Sequence, residues 1–232
     1  MPDARPTHPR PQLRRGAWTS LDGEWQFALD PDARWTTPAE VAWDRVIRVP
    51  FAPETDRSGV RDTGFYKACW YRRRVDVPPP ANGDRVVLHF GAVDYAATVW
   101  ANGVPVARHE GGYTPFAADL TAAAAGGRGV DVVVRAEDDP HDLAKPRGKQ
   151  DWQLNPHSIW YPRTTGIWQP VWLETVPPWS VDRLRWTPTL ERYELGVEAW
   201  VAGPPRDDLR LRVVLRAGPV LLADDTYRVV AG

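Results

Sequence analysis

The chain has 232 residues, 43% hydrophobic and 25% charged, the balance of a globular protein and not of a disordered or fibrous one. Lys and Arg (29) nearly cancel Asp and Glu (30), so no whole-molecule field draws the chain to nucleic acid or to an anionic membrane. A single cysteine, Cys69, excludes an intrachain disulfide and a thiolate-rich metal site, and a complete eight-stranded α/β barrel, at about 250 residues, is too large to fit.

Taken from the amino terminus, residues 1–16 are rich in Pro and Arg and lack the apolar core of a signal peptide. No later stretch approaches about 18 apolar residues. A cytoplasmic chain without a membrane segment is expected. Residues 38–44 are the best helical candidate, short enough to cap a sheet edge. Strand signals dominate from there. Residues 85–90, 95–101, 104–109, 130–136 and 167–174 are rich in β-branched and aromatic residues and bounded by Gly, Pro or Asn. Asn102-Gly103 between two such runs predicts a hairpin, because both central residues of a type I′ turn need positive φ. Asn82-Gly83 marks a second turn, and residues 122–125 read as one helical turn or a loop.

Between Asp138 and Thr165 the alternation stops for longer than a compact domain usually tolerates, which points to function. Val176-Pro177-Pro178 reads as a linker, placing a domain boundary near Pro177. Shorter alternating runs resume at 181–186, 195–201 and 209–215. The 178–232 segment holds about half of the ~100 residues of an immunoglobulin-like sandwich. It is expected to be truncated or to be completed from outside the chain.

Most chemical motifs are missing. Glycoside hydrolysis requires two carboxyl groups about 5 to 10 Å apart, and none of the thirty acidic residues is marked for this by spacing. His109-Glu110-Gly111-Gly112 lacks the second histidine of a zinc helix and reads as a turn. There is no nucleophile elbow, dinucleotide fingerprint or phosphate loop, so neither cofactor nor metal is expected. Cys69, inside a strand-like run, reads as a buried inert thiol.

The long loop is richer. Lys149, Gln150, Asp151 and Trp152, followed by Trp160 and Arg163, bring charged, amide and aromatic groups together, the mix that binds sugars: a Trp face for pyranose C–H groups, and Asp, Gln or Arg for the hydroxyls. These six are the candidate substrate-binding residues. The bland alternative has Trp152 and Trp160 pinning the loop while Asp151 pairs with Arg163 or Lys149, with His141 and His157 as loop-fixing hydrogen bonders.

Several blocks together carry a resemblance. Ser20-Leu21-Asp22-Gly23-Glu24-Trp25-Gln26-Phe27, Val49-Pro50-Phe51-Ala52-Pro53-Glu54 and Trp70-Tyr71-Arg72-Arg73 come first. Phe90-Gly91-Ala92-Val93-Asp94-Tyr95, Val99-Trp100-Ala101-Asn102-Gly103 and the blocks 109–116 and 165–174 follow in order. This resembles the N-terminal sugar-binding region of glycoside hydrolase family 2, the family of β-galactosidases, β-glucuronidases and β-mannosidases, over residues 13–174. The resemblance implies an all-β chain: a jelly-roll, galactose-binding-like β-sandwich over 1–177, then a partial immunoglobulin-like β-sandwich over 178–232, with the catalytic barrel absent. In the family the acid/base glutamate follows an asparagine. Asn82, Asn102 and Asn155 precede Gly, Gly and Pro, so no catalytic residue carries over and the chain alone is expected to be inert. The resemblance also implies that the segment 148–163 reaches towards the sugar, with Asp151 first among its contacts.

The leading expectation is therefore a non-catalytic, carbohydrate-binding part of a β-glycosidase, partnered by its own missing barrel. The alternatives are a free-standing lectin-like module and an assembly module whose half-domain after Pro177 offers an open strand edge to a partner or to a second copy.

Overall fold

The computed structural model describes residues 7–230. These fall into two compact units, 7–177 and 178–230. In chain order the first unit contains β1 (Trp18–Ser20), β2 (Gly23–Asp30), β3 (Arg45–Val49), β4 (Ala68–Val75), β5 (Arg85–Phe90), β6 (Val93–Asp94), β7 (Ala96–Ala101), β8 (Val104–Glu110), β9 (Phe116–Asp119), a single helical turn α1 (Thr121–Ala124), β10 (Val130–Glu137), β11 (Gly166–Ile167) and β12 (Val171–Val176). The chain is all-β, and every strand pair is antiparallel. A six-stranded sheet, in the order β3-β2-β4-β10-β7-β8, faces a four-stranded sheet, β1-β12-β5-β9.

Alternation explains the sandwich. Val130, Val132, Val134 and Ala136 of β10 point into the same core as Val86, Leu88 and Phe90 of β5 and Val171 and Leu173 of β12. Val133, on the opposite face of β10, packs with Trp70 and Trp100 in a second apolar cluster. The two tryptophans stack with ring centroids 5.3 Å apart. Strands apolar on both faces need cover on both sides, and here Trp35 and Trp43 from the 31–44 segment supply part of it.

The β7–β8 hairpin turns at Asn102 (φ 50°) and Gly103 (φ 82°), as its Asn-Gly signal predicts. The Asn102 amide also bridges outward, accepting from the Asp131 N–H at 2.9 Å and donating to the Ala123 carbonyl at 3.2 Å. Two expectations are corrected. The helix over 38–44 shrinks to a 3-10 turn at Pro38–Glu40. The strand over 167–174 is two strands, because Pro170 has no N–H to give a ladder; its carbonyl instead receives the Gly91 N–H at 2.9 Å.

The segment before β1 straps the outer face of the four-stranded sheet. With Leu173 in the core, Trp172 and Glu174 of β12 face away from it. Glu174 is fully buried there. Its carboxylate meets His8 Nε2 at 3.3 Å, Arg10 Nη2 at 3.3 Å, Arg15 Nη1, and His89 Nε2 of β5 at 3.1 Å. His89 stacks on Trp172, and His8 stands edge-on to Trp18 at 4.7 Å. His8 Nδ1 accepts the Arg10 N–H at 3.0 Å, so the proton of a neutral His8 sits on Nε2, the ring nitrogen that lies 3.3 Å from Glu174 Oε1.

The second unit is a pair of hairpins, β13 (Ser180–Thr189) with β14 (Glu194–Ala202) and β15 (Arg210–Ala217) with β16 (Val220–Arg228). Trp186, Leu195, Val197, Leu211, Val213 and Leu215 line an apolar groove of about 480 Å³ within this unit. None of its described residues is buried. No helix among the described residues is long and apolar enough to cross a membrane.

Candidate functional site

The 138–165 loop is ordered by its own short ladder. Gln150 bridges Tyr161 in parallel sense, with the Asp151 N–H donating to the Tyr161 carbonyl at 2.8 Å and the Tyr161 N–H to the Lys149 carbonyl at 2.9 Å. The ladder closes residues 151–161 into a projecting lobe. Asp151 staples that lobe from inside: its buried carboxylate accepts from the Gln153 N–H at 2.9 Å and from the His157 N–H and Nδ1 at 2.7 Å each. Burial alone would raise its pKa, but these donors outweigh it and hold the carboxyl below the usual range.

The returning end of the loop is braced to the sandwich. Arg163 Nε donates to Asp138 Oδ2 at 3.1 Å and its Nη2 to the Tyr66 carbonyl at 2.9 Å and to the Asp138 carbonyl. The guanidinium lies 4.8 Å over the Tyr66 ring. Tyr66 Oη donates to Glu54 Oε1 at 2.7 Å, and the Thr165 N–H donates to Glu54 Oε2 at 3.3 Å. Burial pushes the Glu54 carboxyl up despite these bonds. Tyr71 Oη then receives the Ile167 N–H at 3.2 Å and fixes the start of β11.

Between the loop and the sheet lies a cavity of about 250 Å³ lined by Asp94, Tyr113, Lys149, Gln150, Tyr161, Pro162, Thr164 and Trp168. Asp94 ends β6, paired with Gly166 of β11, and is only 5% exposed. Its neighbours come from far along the chain. Gln150 Nε2 donates to Asp94 Oδ2 at 2.8 Å, and Gln150 Oε1 accepts the Thr164 N–H at 2.8 Å. Gly112 passes so close that a Cβ there would collide with the Asp94 carboxylate, and Trp168 Nε1 holds that turn through the Gly112 carbonyl at 2.7 Å. Desolvation pushes Asp94 up to about 6, opposed by the Gln150 bond and Arg163 and reinforced by Asp138 and Glu54.

The chain has three lysines, two of them engaged, Lys67 with Asp139 and Lys145 with Asp138. Lys149 has no carboxylate within 4 Å among the described residues and stands at the cavity wall. A buried carboxyl, an amide, an ammonium, two phenols and an indole around one cavity can bind hydroxyls by hydrogen bonds and stack on an apolar ring face. No group of three or more His, Cys, Asp or Glu side chains among the described residues could hold a metal ion.

Of the six residues drawn from the sequence, the structure brings Lys149 and Gln150 to this cavity. Asp151 and Arg163 line a smaller neighbouring crevice; the Asp151 carboxylate is taken up by the lobe, and Arg163 Nε and Nη2 by the brace. Trp152, 45% exposed, meets Trp160 edge-on at 5.1 Å on the lobe. Sequence reasoning missed Asp94, Tyr113, Tyr161 and Trp168 as cavity residues, although Asp94, Tyr113 and Trp168 stand inside motif blocks.

The sequence profile for "Glycosyl hydrolases family 2, sugar binding domain" matches residues 59–177, which take in every residue of the cavity. The chain belongs to glycosyl hydrolase family 2. Two curated relatives and one solved structure show how this family 2 chain aligns. A β-glucuronidase from Canis lupus familiaris is 31% identical over 190 residues, 70% of this chain and 29% of the relative. One from Paenibacillus borealis is 36% identical over 114 residues, 47% of this chain and 19% of the relative. The solved Faecalibacterium prausnitzii β-glucuronidase is 26% identical with a TM-score of 0.64, covering 93% of this chain and 41% of that one. The family 2 chain thus spans a third or less of the length of these curated relatives.

Proposed function

We propose that this family 2 chain is the sugar-binding, non-catalytic part of a β-glycosidase, and that the cavity between β6 and the 149–164 loop forms one wall of the sugar pocket. One observation carries this reading: a buried carboxyl, Asp94, set in a cavity whose other walls are an amide, an ammonium and aromatic rings. That composition suits a pyranose, whose hydroxyls need acceptors and donors and whose C–H face needs a flat ring. The carboxylate pair that cleaves the glycosidic bond belongs, in this reading, to a barrel outside this chain. Because the relatives named above are β-glucuronidases, methyl β-D-glucuronide is the first sugar to test. The 178–232 unit supplies strands of an immunoglobulin-like sandwich, a reading supported by two antiparallel hairpins with an apolar groove between them.

The 232-residue chain should not hydrolyse chromogenic β-glycosides, yet should bind methyl β-D-glucuronide with a Kd near 1 mM, about −4 kcal/mol, by NMR shift changes at Gly112, Gln150 and Thr164. Turnover by this chain, or no shift at millimolar sugar, overturns the proposal.

A further inference from the structure

Gln150 touches both walls of the cavity, and its side-chain amide has only one workable orientation. With Nε2 on Asp94 and Oε1 on the Thr164 N–H, both contacts pair a donor with an acceptor. Flipped, the amide would set oxygen against carboxylate oxygen and N–H against N–H. Gly112 closes the other side of the same carboxylate. We propose that Gln150 acts on a bound sugar through Asp94, as a positioning residue that clamps the carboxylate in the cavity wall, and is not itself the main ligand contact. The inference rests on the sugar-binding reading above and assigns the roles within it.

The electrostatics agree with the geometry. Asp94 is held near 6, and a hydrogen bond to the ionised form is one of the effects that lower a carboxyl pKa. Asp138 and Glu54 oppose ionisation, Arg163 favours it, and Lys149, Tyr95, Tyr113 and Tyr161 are the other titratable groups beside Asp94 or on the same cavity. A carboxylate accepts hydroxyl hydrogen bonds better than its protonated form does, so sugar affinity should fall as pH drops through about 6. Removing the Gln150 donor raises the Asp94 midpoint, and affinity is then lost at a higher pH.

The test uses the whole chain in three forms: unchanged, Gln150→Ala and Gln150→Glu. Gln150→Glu is nearly isosteric and still accepts from the Thr164 N–H, but sets a second carboxyl against Asp94. Carboxyl 13C NMR follows Asp94 between about pH 5 and 8 without ligand, and methyl β-D-glucuronide and its neutral analogue methyl β-D-glucoside are titrated across the same range. The expected midpoint of Asp94 rises in Gln150→Ala and rises further, by about one unit or more, in Gln150→Glu. The pH at which both sugars lose affinity should rise with it. Unmoved midpoints overturn the inference. So does an affinity reduced equally at every pH, the signature of a purely structural loop residue. If the midpoints move as stated but neither sugar binds at any pH, the clamp on Asp94 stands and the sugar-binding reading fails.

Discussion

Two aspartates on neighbouring sides of one loop illustrate how little a residue type says about its task. Asp151 is spent locally: three donors within six residues consume its carboxylate, so it makes a lobe. Asp94 has no local partner of that kind and waits on Gln150, 56 positions away. The close passage of Gly112 is what makes room for it, and this gives a sharp expectation. Gly112→Ala should force the turn or the carboxylate to move. It should destabilise the first unit by about 1–3 kcal/mol, as overpacking does, and abolish the sugar-induced shifts. Gly126→Ala, where an added Cβ meets nothing within 4 Å, should change stability by less than about 0.5 kcal/mol. Denaturant melts followed by tryptophan fluorescence compare the two; equal stabilities would refute the close-approach argument.

At the scale of elements, the strap before β1 is held chiefly by one buried carboxylate. Burial alone would raise the Glu174 pKa, but His89, Arg15 and Arg10 outweigh it and hold the carboxyl at about 2, against about 4.3 in an unfolded chain. Its stabilisation is therefore present above about pH 4.3 and is lost as pH falls towards 2. Glu174→Gln should cost roughly 3 kcal/mol at neutral pH, because the buried ion pairs of this carboxylate with Arg10 and Arg15 are lost, and should flatten this part of the acid limb. Urea melts of both proteins at about pH 7, 4 and 3 test it; parallel pH curves would show that Glu174 does not hold the strap.

Some elements were legible from sequence and others were not, for reasons tied to particular residues. β5, β7, β8 and β10 announce themselves by β-branched runs and an Asn-Gly turn, which are local signals. The break in the 167–174 run was also local, but the pattern of apolar residues outvoted Pro170. In the site, Lys149 and Gln150 were legible because a polar loop without alternation stands out. Asp94 was not, because it sits in a short strand among apolar residues and becomes a site only through Gly112, Gln150 and Trp168, none of them near it in sequence. The lobe residues Trp152 and Trp160 have the composition of a sugar platform, while their observed contacts are with each other and with His157.

At the scale of the molecule the two units differ in kind. The first has a closed core between two sheets. The second has two hairpins and an apolar groove, with Trp186, Leu195 and Trp200 each at least 37% exposed. Hairpins without a covered apolar face are marginal in water. Amide exchange should therefore be fast throughout β13–β16 while β4, β7 and β10 stay protected, and mild proteolysis should trim the chain back to a resistant fragment ending near Pro177. Protection in β13–β16 equal to that of β10 would refute this.

A unit none of whose described residues is buried has very little heat to absorb when it comes apart, since the enthalpy and heat capacity of unfolding scale with the surface newly exposed. Calorimetry of this chain should then register one transition, and its enthalpy divided by all 232 residues should fall short of the usual specific value. The missing heat would measure the fraction of the polypeptide that has no cooperative folded state to lose.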